Sequence, residues 1–126
     1  MTRPTVPFEA STAPAPLQVV RVPFPFTDRA AAKNRPALVL SDAGFNAASG
    51  HVLLAMMTSA DNPPWPLDCA VHDLAAAGLP APSVVRMKLF TLDARLLRGV
   101  LGALAPADAA RVHGALQHML PRPPSS

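Results

Sequence analysis

Arginine, lysine and hydroxyl side chains lie at or near the ends of the predicted strands, where a small barrel could bring them to one groove. These residues are Arg35, Thr58, Ser59, Arg86 and Lys88. A guanidinium presents a fork of donors that matches phosphate oxygens. Cleavage of RNA without a metal needs little more, because the 2′-hydroxyl nucleophile comes with the substrate. The site has to move protons and to stabilise the charge on the phosphorane.

The sequence carries no motif typical of metal, nucleotide or acyl-transfer chemistry. The histidines at 51, 72, 113 and 118 have no metal-ligand spacing beside the lone Cys69. A Gly-rich phosphate loop and a G-x-S-x-G turn are both missing from the sequence. We therefore expect no metal and no other cofactor, and a structural role for His51, His72 and Cys69.

The elements that must position the charged groups are mostly short strands. Alternating or continuous apolar runs predict strands at 18–24, 37–41 (after Pro36), 51–58, 67–71, 83–91 and 96–104. Residues 42–50 are predicted as a turn or hairpin, 73–78 as one helical turn and 93–95 as a tight turn. Helical spacing after Pro106 predicts a helix over 106–119. The fold expected is mainly β, a small, partly closed barrel with a C-terminal helix.

Length and composition indicate how the chain is divided, what it can bind and where it is found. The 126 residues predict one domain over 17–120, between a Pro/Ala-rich disordered arm at 1–16 and a disordered tail at 121–126. The net charge of +3 is modest although the isoelectric point is near 10.0, so an RNA site would have to be a local cluster of arginines. The single cysteine, the short apolar runs and the missing signal-peptide pattern predict a cytoplasmic protein with no membrane contact.

Residues 19–41 read VVRVPFPFTDRAAAKNRPALVLS, and this string resembles the start of the MazF/PemK (Kid) family of toxin endoribonucleases. The AMMTS segment at 55–59 resembles the family's P-I-T-S motif, and VVRMK at 84–88 is similar to the V-V-R-x-D stretch of the PemK branch. The closing segment 89–104 resembles K-L-x-T-L-D…L-x-x-x-L-G-x-L. The resemblance covers 18–120.

The resemblance implies an SH3-like barrel that forms a homodimer and cleaves single-stranded RNA at a short sequence. It implies a metal-independent reaction in which 2′-hydroxyl attack leaves a 2′,3′-cyclic phosphate and a 5′-hydroxyl. It also implies neutralisation by a cognate antitoxin that occupies the groove. The implied catalytic residues are Arg35, Thr58 and Arg86. The residues expected to bind substrate are Asp28, Lys33, Asn34, Ser59, Trp65 and Lys88.

Two alternatives stay open at this stage. A non-enzymatic toxin of the same fold, of the gyrase-poison type (CcdB), would not need Arg35 and Thr58. A catalytically degenerate member that only binds RNA or antitoxin stays open because Lys88 stands where the PemK branch carries a carboxylate and because the first loop reads Ala30-Ala31-Ala32. Individual residues also have structural interpretations: Arg86 could pair with Asp68 or Asp93, and Trp65 could pack over the barrel mouth.

Overall fold

The structure is a computed structural model that describes residues 13–24 and 33–124. Its strands are β1 Gln18–Phe24, β2 Lys33–Val39, β3 His51–Ser59, β4 Cys69–Ala70, β5 Ser83–Asp93 and β6 Val100–Ala103. Its helices are α1 Ala43–Ser49, α2 Leu74–Ala77 and α3 Pro106–Met119, and a 3₁₀ turn spans Ala94–Leu96. No helix in these described ranges is long and apolar enough to cross a bilayer.

The six strands form one antiparallel sheet in the order β4-β5-β3-β2-β1-β6. Side chains alternate between its faces, and both faces carry a buried apolar cluster. Val19, Leu38, Met57 and Val85 on one face pack toward Val112 and Ala115 of α3. Val20, Val39, Leu54 and Leu92 form the cluster on the other face. The sheet is a curled half-barrel with a C-terminal helix, which confirms the predicted fold class.

Two glycines let the sheet curl until its edge strand β6 meets α2, the helix that follows the opposite edge strand. A Cβ on Gly78 would lie 2.0 Å from the carbonyl oxygen of Leu101, and one on Gly102 would lie 2.4 Å from that of Ala76. Gly78 also has φ +71°, a left-handed conformation that favours glycine. The two backbones therefore touch directly where the half-barrel closes.

The segment 42–50, predicted as a turn or hairpin, is the helix α1. Asp42 caps its N-terminus by accepting from the Gly44 N–H, and Gly50 ends it at φ 72°. Asn46 is fully buried, and its amide donates to the carbonyl oxygens of Pro14 (2.6 Å) and Ser41 (3.1 Å). The helix thus fixes residues that precede β1. The predicted arm 1–16 stays a prediction, although Ala13 and Pro14, the described residues at its end, are buried.

Pro36 lies inside β2 and does not precede it, so the predicted start at 37 is wrong. The Leu40 N–H donates to Leu53 O on β3, which means that the nitrogens of even-numbered β2 residues face β3. Pro36 has no N–H to donate there, and the β2–β3 ladder ends at the Ala37–Met56 pair. Pairing with β1 does not need that group, and it continues to Lys33.

The remaining elements follow the sequence closely. The strands at 18–24 and 51–58, the helical turn at 73–78 and the helix at 106–119 are confirmed. The strand at 83–91 is also confirmed, but it continues to Asp93. Its pairing with β3 jumps from Ala55–Leu89 to Met56–Arg86, so Met87 and Lys88 form a bulge. The strands predicted at 67–71 and 96–104 shorten to 69–70 and 100–103, and the turn at 93–95 is the 3₁₀ turn.

Candidate active site at one end of the sheet

Arg35 and Thr58 lie on neighbouring strands at the same end of the sheet. Ala37 and Met56 form the last pair of the β2–β3 ladder, and each candidate lies two residues beyond its member of that pair. A separation of two residues keeps a side chain on the same face. The register therefore places Arg35 and Thr58 on one face, just past the point where Pro36 ends the ladder.

The Arg35 guanidinium is exposed and lies over an aromatic ring. Arg35 pairs with Val22 across β1, and its guanidinium carbon is 5.1 Å from the centroid of the Phe24 ring. This cation–π contact orients the side chain without burying it. Lys33 and Asn34, also exposed, begin the same strand opposite Phe24 and Pro23. Asp28, the other predicted residue of this region, lies outside the described residues.

Thr58 has a hydrogen-bond partner in the segment 60–68, here called the β3–β4 loop. Its Oγ1 accepts from Asn62 Nδ2 at 2.5 Å. The neighbouring Ser59 is exposed, and its Oγ accepts from the Asp61 N–H at 3.2 Å. Hydroxyl contacts of this kind order a turn. The two predicted hydroxyl residues therefore begin and stabilise the loop.

Arg86 is held by the same loop. It pairs with Met56 across the sheet, which places it on the face of Arg35 and Thr58. Its Nε donates to Asp68 Oδ1 at 3.2 Å, and its Nη2 donates to Asp68 Oδ2 at 3.0 Å and to Pro63 O at 2.8 Å. Of the two structural partners that the sequence offered, the structure selects Asp68. The side chains of Arg86 and Asp68 are only 13% and 17% exposed.

Trp65 covers the two cations of β5. The ring centroid is 4.6 Å from Lys88 Nζ and 5.9 Å from the guanidinium carbon of Arg86. Trp65 remains 40% exposed, so one part of it can stack on a base while the other contacts the cations. Lys88 itself is exposed in the bulge of β5.

The site therefore has two sides. Arg35, with Lys33 and Asn34 next to it, forms the β2 side. The other side consists of Thr58, Ser59, Trp65, Arg86 and Lys88 with Asn62 and Asp68. Sequence reasoning missed Asn62 as a member of the site. The signal was a Thr-Ser strand end followed by an Asp-Asn-Pro-Pro turn, since Asn and Asp side chains commonly bond back to a nearby strand end.

A second polar cluster lies next to this end of the sheet, between β4 and α3. Asp108 accepts from the N–H groups of His72 and Asp73 and from Arg111. Burial tends to raise the pKa of Asp108, but these hydrogen bonds hold it below its usual value. Burial raises the pKa of the Cys69 thiol, whose Sγ faces the carbonyl oxygens of Leu67 and Arg111. The cluster joins the helix to the sheet, and its cation, Arg111, donates to Asp108 and to Ala70 O of the fold.

Comparisons with known proteins agree on one family. Residues 15–120 match the family described as PemK-like, MazF-like toxin of type II toxin-antitoxin system. A MazF crystal structure from Deinococcus radiodurans is 28% identical, with 86% of this chain and 96% of that chain covered at a TM-score of 0.67. A MazE-MazF structure from the same organism is 27% identical, with the same coverage and a TM-score of 0.69.

A third structure shows likeness of fold only. It is an endoribonuclease in complex with its cognate antitoxin from a Mycobacterial species. It is 23% identical, with 88% of this chain and 98% of that chain covered at a TM-score of 0.65. No curated protein matches the chain.

Proposed function

We propose, from the premise that this chain belongs to the PemK-like, MazF-like family of type II toxins, that it is an endoribonuclease acting on single-stranded RNA. The observation that carries the proposal is the placement of Arg35 and Thr58 on one face beyond the end of the β2–β3 ladder, beside the cations of β5. Cations and hydroxyls converging at strand ends suit a phosphodiester, whose charge they neutralise.

In the proposed reaction the 2′-oxygen of a nucleotide attacks the adjacent phosphorus and the bond to the 5′-oxygen breaks. The products are a 2′,3′-cyclic phosphate and a 5′-hydroxyl, and no metal takes part. Arg35 supplies the exposed guanidinium that stabilises negative charge on the phosphorane. The Thr58 hydroxyl donates to a phosphate oxygen, and Arg86 reinforces the positive potential from across the sheet.

The other predicted residues bind the RNA around the reacting phosphate. Charged and hydrogen-bonding groups flank it from Lys33, Asn34, Ser59 and Lys88, and Trp65 stacks on a base. Asp28, outside the described residues, is also proposed to bind the RNA. Lys88, which stands where a carboxylate occurs in the PemK branch, contributes charge stabilisation. The described site is therefore electrostatic in character: the proton of the 2′-hydroxyl passes to water, and the leaving 5′-oxygen takes a proton from water.

The partners proposed are a second copy of this chain, a cognate antitoxin and single-stranded RNA, in the cytoplasm. Support for an antitoxin comes from similar chains whose structures contain MazE. An antitoxin segment that becomes ordered on binding would neutralise the toxin by covering the cations of the site.

The test is to incubate the purified protein with a long single-stranded RNA in EDTA and to map the new 5′ ends by primer extension. Arg35→Ala is expected to reduce cleavage at least 100-fold while the protein keeps its fold, oligomeric state and melting temperature. Arg95→Ala is the matched control, because it removes an exposed arginine near the opposite end of β3 and should leave cleavage unchanged.

Three other results would contradict the proposal in different ways. Undiminished cleavage by Arg35→Ala would refute the site assignment. Intact RNA with a folded wild-type protein that still binds RNA would favour the degenerate alternative. Intact RNA together with inhibition of gyrase would favour the gyrase-poison alternative.

A further inference from the structure

The β3–β4 loop contacts both of the reaction residues that lie on its side of the site. Asn62 donates to Thr58, and Asp68 with the Pro63 carbonyl binds Arg86. The loop begins at the end of β3 and ends where β4 starts, so its path passes from one candidate residue to the other. Its conformation and the placement of the two side chains therefore depend on each other.

Strand pairing fixes Asp68 opposite Arg86. Cys69 and Ala70 pair with Val85 and Val84, and one step back along the same register sets Asp68 against Arg86. The carboxylate then binds the guanidinium through two parallel hydrogen bonds, and Oδ2 also accepts the Trp65 N–H at 3.0 Å. The two-point contact fixes the plane of the guanidinium as well as its position.

Asp68 and the Pro63 carbonyl together occupy the Nε and Nη2 donors of the guanidinium. Residues 13–24 and 33–124 provide no acceptor for Nη1. The N–H groups of Nη1, on a guanidinium whose Nε and Nη2 are anchored, are preorganised for an incoming oxyanion. The same aspartate also holds the backbone of Trp65, the ring that covers Lys88.

We propose that Asp68 is a positioning residue: it orients Arg86, and through Trp65 the loop, for the phosphate. This inference rests on the proposed endoribonuclease function. Asp68 itself is negative and adds nothing to the attraction of RNA, so its contribution is to orientation. Its removal should therefore lower the rate of the chemical step without weakening RNA binding, because Arg86 and Lys88 keep their charges.

The experiment measures kcat and KM on a short RNA that contains one mapped cleavage site. For Asp68→Asn we expect kcat to fall at least 10-fold, with KM unchanged or lower, since the exchange removes one negative charge beside the RNA. Asp68→Glu restores the carboxylate at a slightly longer reach and should recover part of kcat. A purely structural aspartate would not give this separation of kcat from KM.

Asp93→Asn is the matched control. Asp93 contacts Arg95 with the same two-point geometry, but it pairs with His51 at the far end of β3, about 26 Å from Ser59 at a strand rise of ~3.3 Å per residue. Its kcat and KM should equal those of the wild type.

A double-mutant cycle tests whether Asp68 acts through Arg86. In an Arg86→Ala background, the further change Asp68→Asn should cost kcat less than 2-fold, because the group that Asp68 orients is gone.

An active wild type with an equally active Asp68→Asn variant would overturn this inference and leave the proposed function in place. A rise in KM at constant kcat, or full additivity in the cycle, would also overturn it. A wild type that leaves RNA intact would refute the proposed function and this inference with it. If Asp68→Asn does not fold, Asp68→Glu decides the question, since wild-type kinetics in that variant would show that carboxylate placement has no effect on the reaction.

Discussion

Asp68 with Arg86 and Asp108 with Arg111 are both aspartate–arginine pairs beside β4, and they differ in what surrounds them. Asp108 is 3% exposed, and two backbone N–H groups and one arginine occupy its oxygens. Arg111 in turn donates to Ala70 O at 2.6 Å. Every charge in that cluster is satisfied by a group that belongs to the fold, so the pair joins α3 to the sheet.

The Asp68–Arg86 pair at the candidate site has further positive charge around it. One carboxylate, Asp68, faces Arg86, while Lys88 and Arg35 lie nearby as exposed cations. Two cations share a tryptophan ring that is itself partly exposed. The difference shows that an ion pair alone does not mark a binding site. Surplus positive charge and unsatisfied donors around the pair do mark one, because a charged ligand can use them.

The largest expected effect is at the Asp108–Arg111 pair, which joins α3 to the sheet. Asp108→Ala removes the buried acceptor for two part-buried N–H groups and one partner of Arg111, which should cost about 2–4 kcal/mol of unfolding free energy, the scale of several hydrogen bonds to a charged group. Urea unfolding measures the loss. In conditions where the variant is still folded, its cleavage per folded molecule should equal that of the wild type. Loss of cleavage beyond the folded fraction would show that the two regions are not separable.

The next largest effect is expected at the candidate site, where cleavage should fall while stability hardly changes. Thr58→Val keeps the shape of the side chain and removes the hydroxyl, so cleavage should fall roughly 100-fold, the low end of the scale for a lost oxyanion donor. Stability should change by less than about 1 kcal/mol, because the hydrogen bond from Asn62 is exposed.

Thr91→Val is the control for that change. Thr91 is an exposed threonine of β5 that pairs with Leu53, away from the site. Equal cleavage by the Thr58 and Thr91 variants would show that the Thr58 hydroxyl takes no part in the reaction.

Much of this arrangement was predictable from the sequence, and the family resemblance based on 19–41 is confirmed by the match to 15–120. The helix 106–119 was found because Pro106 and the apolar spacing after it agree. The helix α1 was missed although Asp42 and Gly50 are ordinary cap residues, because its one fully buried side chain is the polar Asn46. Its burial depends in part on Pro14, which is 32 residues away in sequence.

Within the site, residue types were predictable and pairings were not. Arg35, Thr58 and Arg86 were chosen for their chemistry, and their catalytic roles stay predictions. The engagement of Arg86 by Asp68 depends on the register of β4 against β5, which no local pattern specifies. In the same way, Pro36 ends a ladder only because its nitrogen faces β3 and not β1. Both facts follow from strand neighbours.

Acid should weaken the cluster around Asp108. The hydrogen bonds that lower the pKa of Asp108 stabilise the fold at pH values above its unfolded pKa of ~3.9. This contribution is lost as the pH falls below that value and through the lower pKa of the folded state. Wild-type stability should therefore decline below pH 4, and Asp108→Asn should show a flatter decline. Parallel curves for the two proteins would assign acid sensitivity to other carboxylates.

The smallest effect is expected at the Asp93–Arg95 pair, whose geometry is as good as that of the Asp68–Arg86 pair. Asp93 Oδ2 is 2.7 Å from Arg95 Nη2, and its hydrogen bonds with Arg95 lower the pKa of Asp93 to about 2. The Arg95 side chain is 71% exposed, however, and water and salt screen the pair. Asp93→Asn keeps an oxygen that can cap the 3₁₀ turn, so the melting temperature at pH 7 should stay within error. A clear drop in the melting temperature would mean that two-point contact stabilises a pair even in solvent. The surroundings of Asp68 and Asp108 would then explain less of the difference between the two regions.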